Sequence, residues 1–400
     1  MPECMVVTLK PGRDRSVRNR HPWIFSGAIA SLSNDGAQSG PCEVMAANGE
    51  WLASGYCNPE AALAVRLHAW VPGVSRDAAW LEARLEAAHA LRQTQLRAPG
   101  APETDAYRLV YSEADGVSGL IADRFADAVS VRISSRSMLE LAPAAFEWLA
   151  RLPGVRRLHA AFDAESAGRE GVDAVLAVRG WPTDEQPVEF SEHGARFQAH
   201  LAHGQKTGFF LDQRDNRRRA ARCAPGGRVL GAYCYTGAFE IHAARAGAAE
   251  VLGVDSSEPA LEQARCHAEL NGVSDRVRFE RADVPVRLRK FRDEGRTFDG
   301  IILDPPRFVF SAAQKEKGLR AYKDINLLAL KLLAPGGWLA TYSCSGLVSP
   351  EDFRQMLRWA AVDAGRPVRI IESSGQPFDH PVLATFPESE YLKGLLCRVE

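Results

Sequence analysis

From residue 187 to the end, apolar runs of strand length alternate with stretches of helical pattern. Val229-Leu230, Val251-Leu252-Gly253-Val254, Val277-Arg278-Phe279, Ile301-Ile302-Leu303 and Leu339-Ala340-Thr341-Tyr342 are such runs, and Val368-Arg369-Ile370-Ile371 and Leu395-Leu396-Cys397-Arg398-Val399 close the series. Runs this apolar are buried on both faces, and strict alternation with helices predicts a doubly wound parallel sheet of the α/β class. Seven strands, the last two readable as a hairpin, differ from the six of a dinucleotide-binding sheet. Open sheets of this kind hold ligands at the carboxyl ends of their strands. The polar residues that end each run are therefore the candidates for function.

The upstream chain has a different pattern. Met5-Val6-Val7-Thr8-Leu9, Cys42-Glu43-Val44-Met45, Trp51 to Tyr56 and Ala64-Val65-Arg66-Leu67 are short alternating runs punctuated by Gly, Asn and Pro, the pattern of a small β-barrel. After Pro72-Gly73, the residues Ala78, Leu81, Leu85, Ala88 and Leu91 share one helical face. Strands at 107–111, 119–122 and 128–133 and a helix around Leu139 to Leu152 make a small α+β unit, and Pro182 to Pro187 has the composition of a linker. The expected division is 1–73, 74–186 and 187–400. A length of 400 residues is too great for one ordinary core.

With 46% hydrophobic and 25% charged residues, the chain has the composition of a soluble globular protein. No apolar run approaches the roughly 20 residues of a membrane helix, so no membrane association is expected. The eight cysteines include no pair at metal-ligand spacing, which predicts no metal and reduced thiols in a cytoplasm. The net charge of −1 hides two local excesses of positive charge. Lys10 to Arg20 carries five basic residues against one acid, and Gln213 to Arg222 carries five against Asp215. Such patches bind phosphates or are solvated helix faces.

The first strand-to-helix turn of the sheet, Gly231-Ala232-Tyr233-Cys234-Tyr235-Thr236-Gly237, lacks the G-x-G-x-x-G spacing that seats a diphosphate. Its aromatics suit a ligand without phosphates, such as S-adenosylmethionine. The next strand ends in Asp255-Ser256, where a carboxylate offers two acceptor oxygens to the two ribose hydroxyls, or caps the following helix. Asp283 ends the third strand and is either a partner for the adenine amino group or an N-cap. Gln213 is placed to touch the cofactor. The candidate cofactor contacts are thus Gln213, Tyr233, Tyr235, Thr236, Gly237, Asp255, Ser256, Asp283 and Asp304.

Asp304-Pro305-Pro306-Arg307 and Ser343-Cys344-Ser345 end two further strands. An acid and a thiol on one sheet edge fit chemistry on a pyrimidine. The acid holds the polar edge of the base, and the thiolate adds to carbon 6 so that carbon 5 becomes nucleophilic. Cys344 stands among small neighbours that leave room for a flipped base, although most cysteines are simply buried small residues. Phe308 and Tyr322 are stacking or core residues, Pro305 and Pro306 fix the turn, and Arg307 follows them. Lys10, Arg13, Arg20, Arg214 and Arg217 are the candidates for phosphate contacts.

Several blocks together resemble the class I methyltransferases of the RlmI type, which make 5-methylcytosine in large-subunit ribosomal RNA. They are 20–27 (Arg20-His21-Pro22-Trp23), 113–120 (Glu113-Ala114-Asp115-Gly116), 207–214 (Thr207-Gly208-Phe209-Phe210), Tyr235-Thr236-Gly237, 304–308, 322–326 and Ser343-Cys344-Ser345-Gly346. The resemblance spans nearly the whole chain. It implies an N-terminal PUA domain for RNA binding, a central α+β domain and a C-terminal Rossmann-like catalytic domain, with S-adenosylmethionine as cofactor and large-subunit ribosomal RNA as partner. By the same resemblance Cys344 is the nucleophile, Asp304 the base-holding acid, and Asp255 and Asp283 the cofactor contacts. Gly231 and Tyr235 stand where many relatives carry an acid and a glycine. The oligomeric state stays open, a homodimer included. The competing expectations are transfer to an exocyclic amine from the Asp-Pro-Pro turn, an RNA-binding assembly factor without activity, and a nicotinamide enzyme.

Overall fold

The computed structural model describes residues 4–33, 38–172, 186–202 and 207–400. Lys206 and residues 182–185 of the expected linker lie outside the described residues. Six N-terminal strands, β1 (Met5–Leu9), β2 (Trp23–Phe25), β3 (Ile29–Leu32), β4 (Gly40–Met45), β5 (Trp51–Cys57) and β6 (Leu63–Ala69), form one sheet in the order β2-β6-β5-β4-β1-β3. Only β1 and β4 run parallel; β2 and β3 are the two ends of the order. Alternation along β1 buries Met5, Val7 and Leu9 with Val44 and Val65 and turns Val6 outward.

The helix Ala78–Leu96, started by the Asp77 carboxylate accepting from Trp80 N, leads into a second sheet. Its strands are β7 (Ala106–Tyr111), β8 (Leu120–Phe125), β9 (Ala128–Ile133) and β10 (Arg157–Phe162), in the order β10-β9-β8-β7. The single helix expected around Leu139 to Leu152 is two, Arg136–Leu139 and Ala142–Ala150. Pro143 explains the break, since proline is accommodated in the first turn of a helix and not in its interior.

A hairpin of β11 (Val188–Glu192) and β12 (Ala195–Ala199) precedes the C-terminal sheet. Phe190 and Phe197 on it pack with Phe125 of β8 and with Phe209, so one core runs from the central sheet into the C-terminal one.

The C-terminal sheet has seven strands: β13 (Arg228–Ala232), β14 (Glu250–Asp255), β15 (Val277–Arg281), β16 (Phe298–Leu303), β17 (Leu333–Ser343), β18 (Val368–Ser374) and β19 (Lys393–Val399). Their order is β15-β14-β13-β16-β17-β19-β18, parallel through β17, with β19 antiparallel to both its neighbours. The last two strands pair, but residues 375–392 separate them, so they are no tight hairpin. Apolar side chains fill both faces: Val229, Val251 and Ile302 on one, Leu230, Val254 and Ile301 on the other. The winding reverses between β13 and β16, and such a switch point opens a crevice at the carboxyl ends of those strands.

Candidate active site

A cavity of about 520 Å³ lies in that crevice, a size suited to a small-molecule cofactor. Asp255 from the end of β14, Asp304 from β16 and Cys344 from β17 all stand in its wall. The register that pairs Ala232 with both Val254 and Leu303 sets the two carboxylates on either side of β13.

The turn after β13 builds the floor. Tyr233, Tyr235 and Gly237 have φ of 65°, 49° and 76°, the left-handed region in which glycine is at ease and tyrosine is strained. Tyr233 N and Cys234 N donate to Val254 O, and Tyr235 N donates to Asp255 Oδ2 at 2.9 Å, which holds the strained turn against β14. At Gly237 the helix Ala238–Arg245 begins, and a Cβ there would press on Phe279 and Ala264. Glu240 in its first turn is buried, and its carboxyl fills the space beside Gly231. Burial pushes the Glu240 carboxyl up to about 8, and its Oε2 has no hydrogen-bond partner among the described residues.

Each oxygen of Asp255 takes one backbone N–H, from Tyr235 and from Ser257, and each retains a lone pair. Two remaining acceptors in the wall fit a ribose diol. Phe210 stands edge-on to Tyr235 at 5.2 Å and contributes apolar surface beside it. Among the described residues the wall gathers no cationic cluster for a diphosphate, because Arg217 is bound to Glu192 and the exposed Arg307 stands alone with its guanidinium over Phe310. These residues fit S-adenosylmethionine, and Thr236 and Ser256 also reach the wall.

Asp304 is oriented by a relay of amides: Asn216 Nδ2 donates to Gln213 Oε1 at 2.7 Å, and Gln213 Nε2 donates to Asp304 Oδ1 at 2.8 Å. Gln213 lines the cavity as expected, yet its amide nitrogen serves the carboxylate. Cys344 is half-buried, and the turn that carries it is held from three sides. Ser345 Oγ lies 3.0 Å from the Tyr322 hydroxyl and accepts from Val309 N, while Lys393 Nζ donates to Ser345 O at 2.6 Å.

Three expectations are corrected. Tyr322 is fully buried against Phe308 and Phe353, so it supports the Cys344 turn and stacks on no substrate. Of the two roles expected for Asp283 the N-cap is present, Oδ1 accepting from Val286 N, and its carboxylate faces Tyr233 of the cavity wall. Arg214 is fully buried and doubly bonded to Asp379, with its guanidinium over the Phe378 ring. Arg217 is likewise buried on Glu192. Neither arginine is available to phosphates, since a buried cation parted from its carboxylate would stand unpaired. Lys10, Arg13 and Arg20 are exposed on the N-terminal unit, away from the cavity. Pro305, Pro306 and Arg307 reach the cavity, whereas Phe308 stands behind, edge-on to Tyr233.

Tyr391 and Leu392 were not foreseen. They enter the wall from the 375–392 connection, Tyr391 donating to Asp212 Oδ2 at 2.5 Å. The one signal was Lys393, a charge set inside an apolar strand run.

Comparison with known proteins agrees with this geometry. A family model described as an S-adenosylmethionine-dependent methyltransferase matches residues 173–385, and one described as a PUA-like domain matches 7–70. Proteins named ribosomal RNA large subunit methyltransferase I are similar over the full length. That of Shewanella denitrificans is 40% identical over 98% of this chain and 99% of its own, and that of Erwinia tasmaniensis 39% identical over 98% of each. Among solved structures, a chain from Streptococcus mutans described as a SAM-dependent methyltransferase superposes with a TM-score of 0.82 at 20% identity, covering 98% of this chain and 99% of that one. A second solved structure, described as a methyltransferase complexed with SAH, gives 0.82 at 19% identity over the same shares. The chain carries a PUA-like domain followed by a catalytic domain, and it belongs to the family of S-adenosylmethionine-dependent methyltransferases that includes ribosomal RNA large subunit methyltransferase I.

Proposed function

We propose that this enzyme methylates carbon 5 of a cytosine in large-subunit ribosomal RNA, with Cys344 as the nucleophile. The observation that carries this reading is the presence of Cys344 and Asp304 in one cavity wall opposite Asp255. The substrate class follows the names of the full-length relatives, and a PUA-like domain with exposed Lys10, Arg13 and Arg20 supports an RNA partner.

Asp255 and Ser256 hold the ribose of the cofactor, and the 233–237 turn and Phe210 hold its remainder. S-adenosylmethionine, when bound, supplies an electrophilic methyl on a sulfonium sulfur. Cys344 Sγ forms a bond to carbon 6 of the flipped cytosine, and the electron pair of the 5,6 double bond becomes available at carbon 5. Asp304 accepts from the amino edge of the base, in an orientation fixed by Gln213 and Asn216. Once carbon 5 is methylated, a base removes its proton, the 5,6 double bond re-forms, and the carbon–sulfur bond breaks to return the thiolate.

The same reading divides the chain into an RNA-binding unit at 1–73, a central unit at 74–186 and a catalytic unit at 187–400. Separate sheets in β1–β6, β7–β10 and β13–β19 support it. The test is RNA containing 5-fluorocytidine, whose fluorine cannot leave as a proton. A covalent complex that disappears in Cys344→Ala is expected. Full methylation by Cys344→Ala, or N4-methylcytidine in the product nucleosides, refutes the reading.

A further inference from the structure

Lys393 is a buried cation without a carboxylate. It opens β19, is 6% exposed, and pairs across the sheet with Ser343, the residue before Cys344. Its ammonium donates to Ser345 O at 2.6 Å and Tyr391 O at 2.7 Å, the first just after Cys344 and the second in the cavity-lining segment. Among the described residues no carboxylate lies within ion-pair distance of it. An ammonium has three N–H donors, so two carbonyls leave one.

Burying such a charge is costly unless an anion answers it. The ionisable groups facing Lys393 are Cys344 on the turn after β17, Glu390 on the connection and Asp352 at the start of the helix Pro350–Ala364. Asp352 is already bound to Lys315 at 2.7 Å. Burial pulls Lys393 down to about 8, and Cys344 is the strongest of the three influences that oppose the fall. The group best placed to answer the cation is therefore the thiol, when it is ionised.

We propose that Lys393 is the positioning residue that holds Cys344 as its thiolate, a role that rests on the reading of Cys344 as nucleophile. The ammonium gives the anion a fixed counter-charge without blocking the sulfur, because its two other donors are tied to backbone carbonyls. Thiolate is then present at neutral pH before RNA arrives.

The test follows iodoacetamide alkylation of Cys344 against pH in the full-length protein, with peptide mass spectrometry separating it from the exposed Cys4 and Cys266. In Lys393→Met and Lys393→Gln the pH midpoint of alkylation should rise by about one unit and the rate at pH 7 fall about tenfold. Lys393→Arg should restore both, and the acid limb of the kcat profile should move with the midpoint while KM for S-adenosylmethionine stays put. An unchanged midpoint in folded Lys393→Met or Lys393→Gln overturns the proposal. Should neither variant fold, a wild-type midpoint at or above the about 8.5 of a free thiol overturns it equally. Alkylation reads the sulfur without RNA, so loss of the nucleophile reading, seen as full methylation by Cys344→Ala, is distinguished from loss of this one.

Discussion

The Glu240 carboxyl occupies the space that any side chain on Gly231 would need. A Cβ on Gly231 would overlap Oε1, Cδ and Cγ of Glu240. The strand residue is thus reduced to hydrogen, which leaves room for the buried acid of the following helix. Gly231→Ala should cost about 1–3 kcal/mol by overpacking. In a Glu240→Ala background most of that cost should vanish, giving a coupling above about 1 kcal/mol in a double-mutant cycle by urea unfolding. Strictly additive costs would mean that the two side chains do not compete for one space.

Glu240 also makes stability depend on pH. Burial raises its carboxyl from 4.5 to about 8, so the folded chain keeps a proton that the unfolded chain releases. Between those values the unfolded state binds fewer protons, and stability falls as pH rises, by on the order of 1 kcal/mol per pH unit from this group. Above about 8 the decline from this group stops. Glu240→Gln mimics the neutral acid and should remove that slope. The measurement is urea unfolding of both proteins from pH 5 to 9, and parallel profiles would contradict the assignment.

What the sequence disclosed follows the physics of burial. Strands buried on both faces, such as Val251 to Val254 and Ile301 to Leu303, stand out as apolar runs, and the acids that end them fall where the sheet puts its ligand. The strands β11 and β12 were missed because their apolar residues alternate only over five positions each, with Glu189 and Ser191 between them in the first and Arg196 and Gln198 in the second. Arginines at 214 and 217 looked like a phosphate patch because their carboxylate partners, Asp379 and Glu192, are distant in the chain. Tyr391 could not be read as a cavity residue, since only the long return between β18 and β19 brings it there.

The Arg214–Asp379 pair gives a test of that correction. Both partners have no exposed side-chain surface, and Arg214 holds the Asp379 carboxyl well below its ordinary range. Arg214→Met leaves the buried Asp379 carboxylate without its arginine, with Arg108 N and His380 as its remaining partners, and should lower stability by about 3 kcal/mol while leaving the salt dependence of RNA binding unchanged. Arg13→Ala should do the reverse, reducing the slope of log affinity on log salt by up to about one with little loss of stability. A reduced salt slope in folded Arg214→Met would return that arginine to the RNA surface.

Tyr235 joins backbone strain to the cofactor. At φ 49° it carries a cost of about 1 kcal/mol that glycine would not, yet its ring stands in the cavity wall against Phe210. Tyr235→Gly relieves the strain and removes the ring, so the two effects separate. Stability should hold or rise by up to about 1 kcal/mol, while affinity for S-adenosylmethionine by calorimetry should fall about tenfold. Tyr235→Ala keeps a side chain in the left-handed region and loses the ring, so it should lose both stability and affinity. If Tyr235→Gly binds the cofactor as tightly as the wild type, the ring is no part of the binding wall, and the strain in this turn must be maintained for something other than holding the methyl donor.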